Sequence, residues 1–198
     1  MATEHDRRER ILEAAREDFL AHSYDGATLR AIAAAAQVTT GSLYHHFAGK
    51  DELFVEVCLE GMRRLVQRFR TAVELSQGRP LPERLVMLFD AYAAFFVEER
   101  GYYELIERLD RSREELAITP ALGRRVDAVG NEIFATLFGL IREASPRLDD
   151  EAVRVKALTL LAVAEGLFSC QRRGLLGRFG LSLGTFRSRL PVDSLLKG

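Results

Sequence analysis

The chain has 198 residues, of which 47% are apolar and 29% charged, enough for one compact domain or a small module fused to a larger one. Lys and Arg total 28 against 29 Asp and Glu, so net charge points to no class of partner. Two cysteines, Cys58 and Cys170, exclude a disulfide framework. No apolar run approaches the ~18 residues of a membrane span, and the polar N-terminus is unlike a secretory signal, so a cytoplasmic protein without membrane contact is expected.

Nearly every segment reads as helix, and the expected fold class is all-α. Within Arg8 to His22, Ile11, Leu12, Ala15, Phe19 and Leu20 recur at three- and four-residue steps, and Tyr24-Asp25-Gly26 breaks that helix. Thr28 is an N-cap for a second helix through about Ala36. Thr39 or Thr40 caps a short third helix ending near Phe47, and Ala48-Gly49 makes a tight connection. A long helix then runs from Lys50 to Ser76, with Leu53, Phe54, Val57, Cys58, Gly61, Met62, Leu65, Phe69 and Val73 as its apolar stripe.

Gly78, Pro80 and Pro82 separate it from an aromatic-rich helix over about Glu83 to Glu99, and a shorter one follows from Tyr102 to Arg113. Two long helices, about Pro120 to Ala144 and Asp149 to Arg173, are split by Ser145-Pro146. From Lys156 to Phe168 the second is apolar nearly all round, broken only by Thr159 and Glu165. Such a helix is covered on more than one side, and a second copy of the chain is the expected cover. The basic tail from Gly174 to Gly198 reads equally as a loosely docked final helix or as a mobile segment, its arginines as solvated surface.

Chemistry concentrates in VTTGSLYHHF, Val38 to Phe47. As the second helix of a helix-turn-helix it turns Leu43 and Phe47 inward, toward Ile32, Ala33 and Val38. Thr40, Gly41, Tyr44 and His45 then project outward. The first turn of such a helix offers backbone N–H groups and a positive dipole end to phosphate oxygens. Threonine, serine, tyrosine and histidine all bond phosphates or base edges. His45 and His46 diverge by about 100° on a helix and cannot chelate one ion. No metal or cofactor is expected, and no nucleophile–base arrangement or phosphate-cradling glycine loop suggests an enzyme.

Thr28-x-x-x-Ile32-Ala33, then Val38 to Phe47, then Lys50-Asp51-Glu52-Leu53 together resemble the DNA-binding region of the TetR family of transcriptional regulators, over about Arg10 to Leu53. The resemblance implies a homodimer on a pseudo-palindromic DNA operator, with repression as the default output and release by a small-molecule effector. It implies a helix-turn-helix domain over residues 1–49 and an effector-binding and dimerisation domain over 50–198, with residues of about 120–173 pairing across the dimer. It further implies that Thr28 caps the second helix and meets phosphate, and that Arg30 reaches a base or phosphate. Thr39, Thr40, Gly41 and Ser42 would face the major groove, Tyr44, His45 and His46 contact backbone or base edges, and Lys50 hold a phosphate. Gln37 stands where the family often has glycine, at a cost of roughly 1 kcal/mol if that turn needs a positive φ.

From Met1 to Lys50 there are 6 basic residues against 7 acidic ones. Attraction to DNA should therefore come from few cations: Lys50, Arg30, and Arg7, Arg8 and Arg10. That weak charge is the best support for the alternative, a helical ligand-binding or interaction protein without DNA binding. In the larger part, Phe89, Tyr92, Phe96, Tyr102, Tyr103, Phe134, Phe138 and Phe168, with Met62 and Phe69 of the long helix, either line a site for an apolar or aromatic effector or are ordinary core. Glu165, within an apolar run, needs a partner if buried: a cationic ligand, an arginine across the dimer, or one of the same subunit such as Arg108.

Overall fold

The computed structural model describes residues 4–189, and among these there are α-helices and one short 3₁₀ turn but no strand. The helices are α1 (Glu4–Gly26), α2 (Leu29–Ala35), α3 (Thr40–His46), α4 (Lys50–Leu75), α5 (Leu81–Glu98) and α6 (Arg100–Ser112). After the 3₁₀ turn Arg113–Glu115 come α7 (Pro120–Ala144), α8 (Asp150–Arg172), α9 (Leu175–Arg178) and α10 (Leu183–Arg189). The fold is all-α. The chain forms two compact units, Met1–Arg64 with Glu99–Gly130 and Leu65–Glu98 with Asn131–Gly198.

The first unit is built on Ile11, Ala15 and Phe19 of α1, Ile32 of α2, Leu43 of α3 and Leu53, Phe54 and Leu59 of α4, all fully buried. Each such large side chain contributes about 1.5–3 kcal/mol on burial. The regular part of α1 ends at Ser23, whose φ of 61° and ψ of 179° interrupt the helix before a last turn through Gly26. Phe54 meets the rings of Phe19 and Tyr24 edge-on, at 5.5 and 4.8 Å. Gly61 lets α6 approach α4, because a Cβ there would lie 2.6 Å from the Tyr102 ring. α4 is buried well beyond the expected stripe: Val55, Glu56, Leu59 and Val66 are inside as well. Partners from α1, α6 and α7 touch it, so no face of its first half is left to solvent.

In the second unit Phe168 of α8 gathers Phe89, Tyr92 and Phe96 of α5, with ring centres 5.7, 4.7 and 5.0 Å away. Phe69 meets Tyr92 edge-on at 6.0 Å. Asp149 caps α8, accepting the Ala152 N–H at 2.7 Å. Val153, Ala157, Leu167 and Phe168 turn inward, whereas Val155 (58% exposed), Leu158 (50%), Ala162 and Gly166 form an apolar surface that the single chain leaves open. Glu165 is exposed rather than buried, because it falls beside that open surface, and it accepts the Tyr92 hydroxyl. Arg108, in the first unit, approaches Asp25 and Glu115 at 3.8 and 3.9 Å.

The tail is helical through Arg189. Leu176 is buried, and the Arg187 guanidinium donates to both Asp90 oxygens at 2.6 and 2.8 Å, docking α10 on α5. The remainder of the expected tail, Leu190 to Gly198, lies outside the described residues. Among the described residues no helix is long and apolar enough to cross a membrane.

Candidate nucleic-acid interface

Two threonines start the two short helices. Thr28 Oγ1 accepts the Ala31 N–H at 3.1 Å, and Thr39 Oγ1 accepts the Ser42 N–H at 3.1 Å. Each satisfies one N–H that a helix start leaves open. The Thr28 N–H in turn donates to Asp18 of α1 at 3.1 Å, tying the start of α2 to its neighbour.

The turn between α2 and α3 closes as a Schellman motif. The Gln37 N–H donates to Ala34 O at 3.1 Å and the Val38 N–H to Ala33 O at 3.0 Å. Gln37 takes φ of 56°, the left-handed conformation that glycine usually fills. The turn does need a positive φ, and glutamine adopts it at a cost of about 1 kcal/mol.

On α3, Leu43 and the C-cap Phe47 are buried, with Ile32 and Ala33 beneath them and Val38 half-buried. Thr39, Thr40, Gly41, Tyr44 and His45 are exposed, Tyr44 by 54%; Ser42 and His46 are half-buried. A Cβ built on Gly41 would meet only Thr39 Oγ1, at 3.9 Å. The chain's own packing therefore does not ask for glycine there, although glycine weakens a helix.

Beyond α3, Glu52 Oε2 accepts the Ala48 N–H at 2.6 Å, a capping contact that holds the connection into α4. Lys50 is half-buried and lays its ammonium 4.4 Å from the centre of the Tyr24 ring. Arg108 approaches the same ring at 5.0 Å. The Tyr24 hydroxyl donates to Asp51, whose other oxygen accepts the Ala117 N–H at 2.8 Å. His45 Nε2 lies 3.3 Å from Glu4. On α2, Thr28 and Arg30 are exposed.

Periodicity alone assigned Tyr24 only to a helix break; its part in seating Lys50 comes from a contact 26 residues away in sequence, which no local pattern carries. Arg8, expected among the DNA-facing cations, turns inward to Glu56 at 3.2 Å and over the Phe47 ring at 4.8 Å. The available signal was Glu56 itself, an acid among apolar residues of α4 that had to find a cation.

Residues 11–57 match the model described as bacterial regulatory proteins, tetR family. The helix-turn-helix of this chain is of the TetR family. Its TetR-type region is 39% identical over 67 residues to the HTH-type transcriptional regulator UidR of Escherichia coli K12, a match covering 34% of each chain. It is 38% identical over 60 residues to the HTH-type transcriptional repressor AcnR of Corynebacterium glutamicum, covering 30% of this chain and 32% of AcnR. The match thus spans about a third of the length of these relatives. Over nearly the whole chain the fold is similar to Salmonella enterica GusR (TM-score 0.67, 24% identity, 97% of this chain and 96% of that one). It is likewise similar to the regulator FadR from Bacillus subtilis in complex with stearoyl-CoA (TM-score 0.66, 15% identity, 96% and 98%).

Outside the TetR-type region, the expected effector residues separate. Phe69, Phe89 and Tyr92 line an apolar cavity of about 70 Å³ in the second unit, together with Leu85, Leu88, Leu137, Leu160 and Leu161. Phe96 and Phe168 pack on the same aromatic cluster, and Glu165 reaches it through Tyr92. Phe134 and Phe138 stack on each other at 6.3 Å. Met62 and Tyr103 are buried residues of the first unit. Such a cavity holds about two waters, well under the ~300 Å³ of a drug-sized site. Cys58 is buried and its thiol donates to Leu105 O at 3.6 Å; burial pushes its pKa up, away from reactivity.

Proposed function

We propose that this protein is a transcriptional regulator that binds a pseudo-palindromic operator in double-stranded DNA as a homodimer, represses by default, and is released by a small apolar or aromatic effector. The observation that carries the reading is α3: a buried Leu43 and Phe47 beneath an outward Thr40, Gly41, Tyr44 and His45, in a TetR-type region. In this reading Thr39, Thr40, Gly41 and Ser42 face the major groove, and Tyr44, His45 and His46 meet backbone or base edges. Thr28, Arg30 and Lys50 hold the flanking phosphates.

Residues 1–49 serve as the DNA-binding domain and 50–198 as the effector and dimerisation domain. Pairing through α7 and α8 is supported by the open apolar surface of Val155, Leu158 and Ala162. Two reading helices can then enter successive major grooves. The mostly apolar lining around Phe69, Phe89 and Tyr92 supports an apolar effector, and the stearoyl-CoA bound to the structurally similar FadR is in keeping with it. The present cavity must widen to admit such a molecule, which makes binding selective for one conformation and gives the effector its hold on DNA affinity. The site of action is the cytoplasm, where the operator is.

The test is a gel shift with duplexes selected from a random-sequence library by the wild-type protein. Tyr44→Ala and Lys50→Ala each remove a contact from both subunits and should each weaken binding about 30-fold or more, at about 1–2 kcal/mol per lost contact. Failure of the wild-type protein to enrich any duplex would remove the reading.

A further inference from the structure

Glu56 sits in a stretch of α4 that is otherwise apolar from Leu53 to Leu59, and only 5% of its side chain is exposed. A charge at that depth persists only with partners of good geometry. Arg125 of α7 supplies a two-pronged one: Nη1 donates to Oε1 at 2.6 Å and Nη2 to Oε2 at 2.8 Å. Arg8 of α1 adds a third contact, donating from Nη2 to Oε1 at 3.2 Å. The Arg8 guanidinium in turn lies 4.8 Å from the centre of the Phe47 ring, the buried C-cap of α3. The hydrogen bond to Glu56 raises the Arg125 pKa.

One carboxylate thus joins α1, α4 and α7 of the first unit, and its arginine covers the end of α3. Buried ion pairs add little to stability over apolar packing of the same shape; what they confer is orientation. We propose that Glu56 is a positioning residue for DNA reading: through Arg8 and Phe47 it sets the end of α3, and through Arg125 it makes that setting depend on α7. The proposal rests on the DNA-reading function given above. Neither arginine needs to touch DNA for this.

The test uses the full chain carrying Arg125→Ala, Arg125→Lys or Arg8→Ala. Arg8 and Arg125 are 40% and 46% exposed, so truncation of either opens no core cavity, although Arg125→Ala leaves the buried Glu56 carboxylate with Arg8 alone and should also lower the stability of the first unit. Affinity for a duplex selected by the wild-type protein is measured across salt, and amide exchange is followed on the DNA-free protein. Both alanine variants should bind about tenfold more weakly, a typical coupling magnitude, and Arg125→Lys, which keeps the charge but not the two-pronged contact, should recover part of that loss. The salt slope should stay unchanged, because no phosphate contact is lost. Amides of residues 40–47 should exchange faster while those of 81–98 do not.

Wild-type affinity in both alanine variants, equal acceleration over 81–98, or no recovery with lysine would overturn the positioning role. A lower salt slope in Arg8→Ala would also overturn it, since Arg8 would then be a phosphate contact. If the wild-type protein selects no duplex, the DNA-reading function fails instead, and the exchange result on the free protein still decides whether Glu56 sets α3.

Discussion

The Lys50 ammonium lies 4.4 Å from the centre of the Tyr24 ring, and the Tyr24 hydroxyl donates to Asp51 one residue along. The phenol is thereby held in its neutral form: burial first, and then the bond to Asp51, push its pKa up to about 12. An unfolded tyrosine titrates near 10. Below pH 10 both states keep the proton and the contribution is complete. As pH rises from about 10 through 12, the unfolded chain loses its proton first and stability falls. Tyr24→Phe keeps the ring under Lys50 but removes the titrating group, so urea midpoints measured from pH 9 to 11.5 should fall less steeply in the variant. Tyr102, whose phenol burial also raises, remains in both and leaves a residual slope. Parallel losses in the two proteins would show that Tyr24 titrates normally.

Gln37 holds the left-handed position of the turn between the two short helices, with φ of 56°. Its side chain is exposed, so substitution there reports backbone conformation with little packing. Gln37→Gly relieves the left-handed cost of about 1 kcal/mol but adds unfolded-state freedom worth ~0.4–1 kcal/mol, for a net gain of up to about 0.6 kcal/mol. Gln37→Val should lose stability, since a β-branched residue resists positive φ more strongly. Thermal melts of the three proteins should rank Gly above Gln above Val. Any other order would mean that the turn is not held in this conformation in solution.

Helix order and the identity of the short capped helices were legible from sequence because their causes are local. Thr28 and Thr39 cap within three residues, and Leu43 and Phe47 follow helical spacing. The positive φ at Gln37 was approached only through the family resemblance, which often has glycine at that position. What escaped depended on contacts far along the chain. Arg8 reads as a free cation among Arg7 and Arg10, yet its acceptor is 48 residues away. Glu165 reads as a buried charge within an apolar run, but that run has an open surface and the acid lies beside it, near Tyr92. The aromatic residues of the larger part could not be divided into cavity lining and core, because the same ring serves both; Phe168 is fully buried at the centre of its cluster, while Phe89 reaches the cavity.

Gly41 offers a test in which stability and function should move in opposite directions. A Cβ there meets only ordinary contact with Thr39 Oγ1, so Gly41→Ala is free of clash within the chain. Alanine should stabilise the helix by about 0.5–1 kcal/mol. The added methyl would, however, stand between α3 and the groove it approaches, and operator affinity should fall tenfold or more. Paired melting and gel-shift measurements decide the matter. A variant that is more stable and binds as well as the parent would show that α3 does not approach DNA at this residue.

Salt dependence counts the cations that reach phosphate. With Arg8 committed to Glu56, the first fifty residues keep Arg30 and Lys50, with Arg7 and Arg10 exposed near the start of α1. Two subunits then supply roughly 4–8 phosphate contacts, and a plot of log K against log salt should have a slope of about −4 to −7. Lys50→Ala, removing one contact per subunit, should flatten that slope by about 2 for the dimer. Arg8→Ala should leave it where it was. A slope steeper than about −10 would require cations from elsewhere in the chain to lie on the duplex.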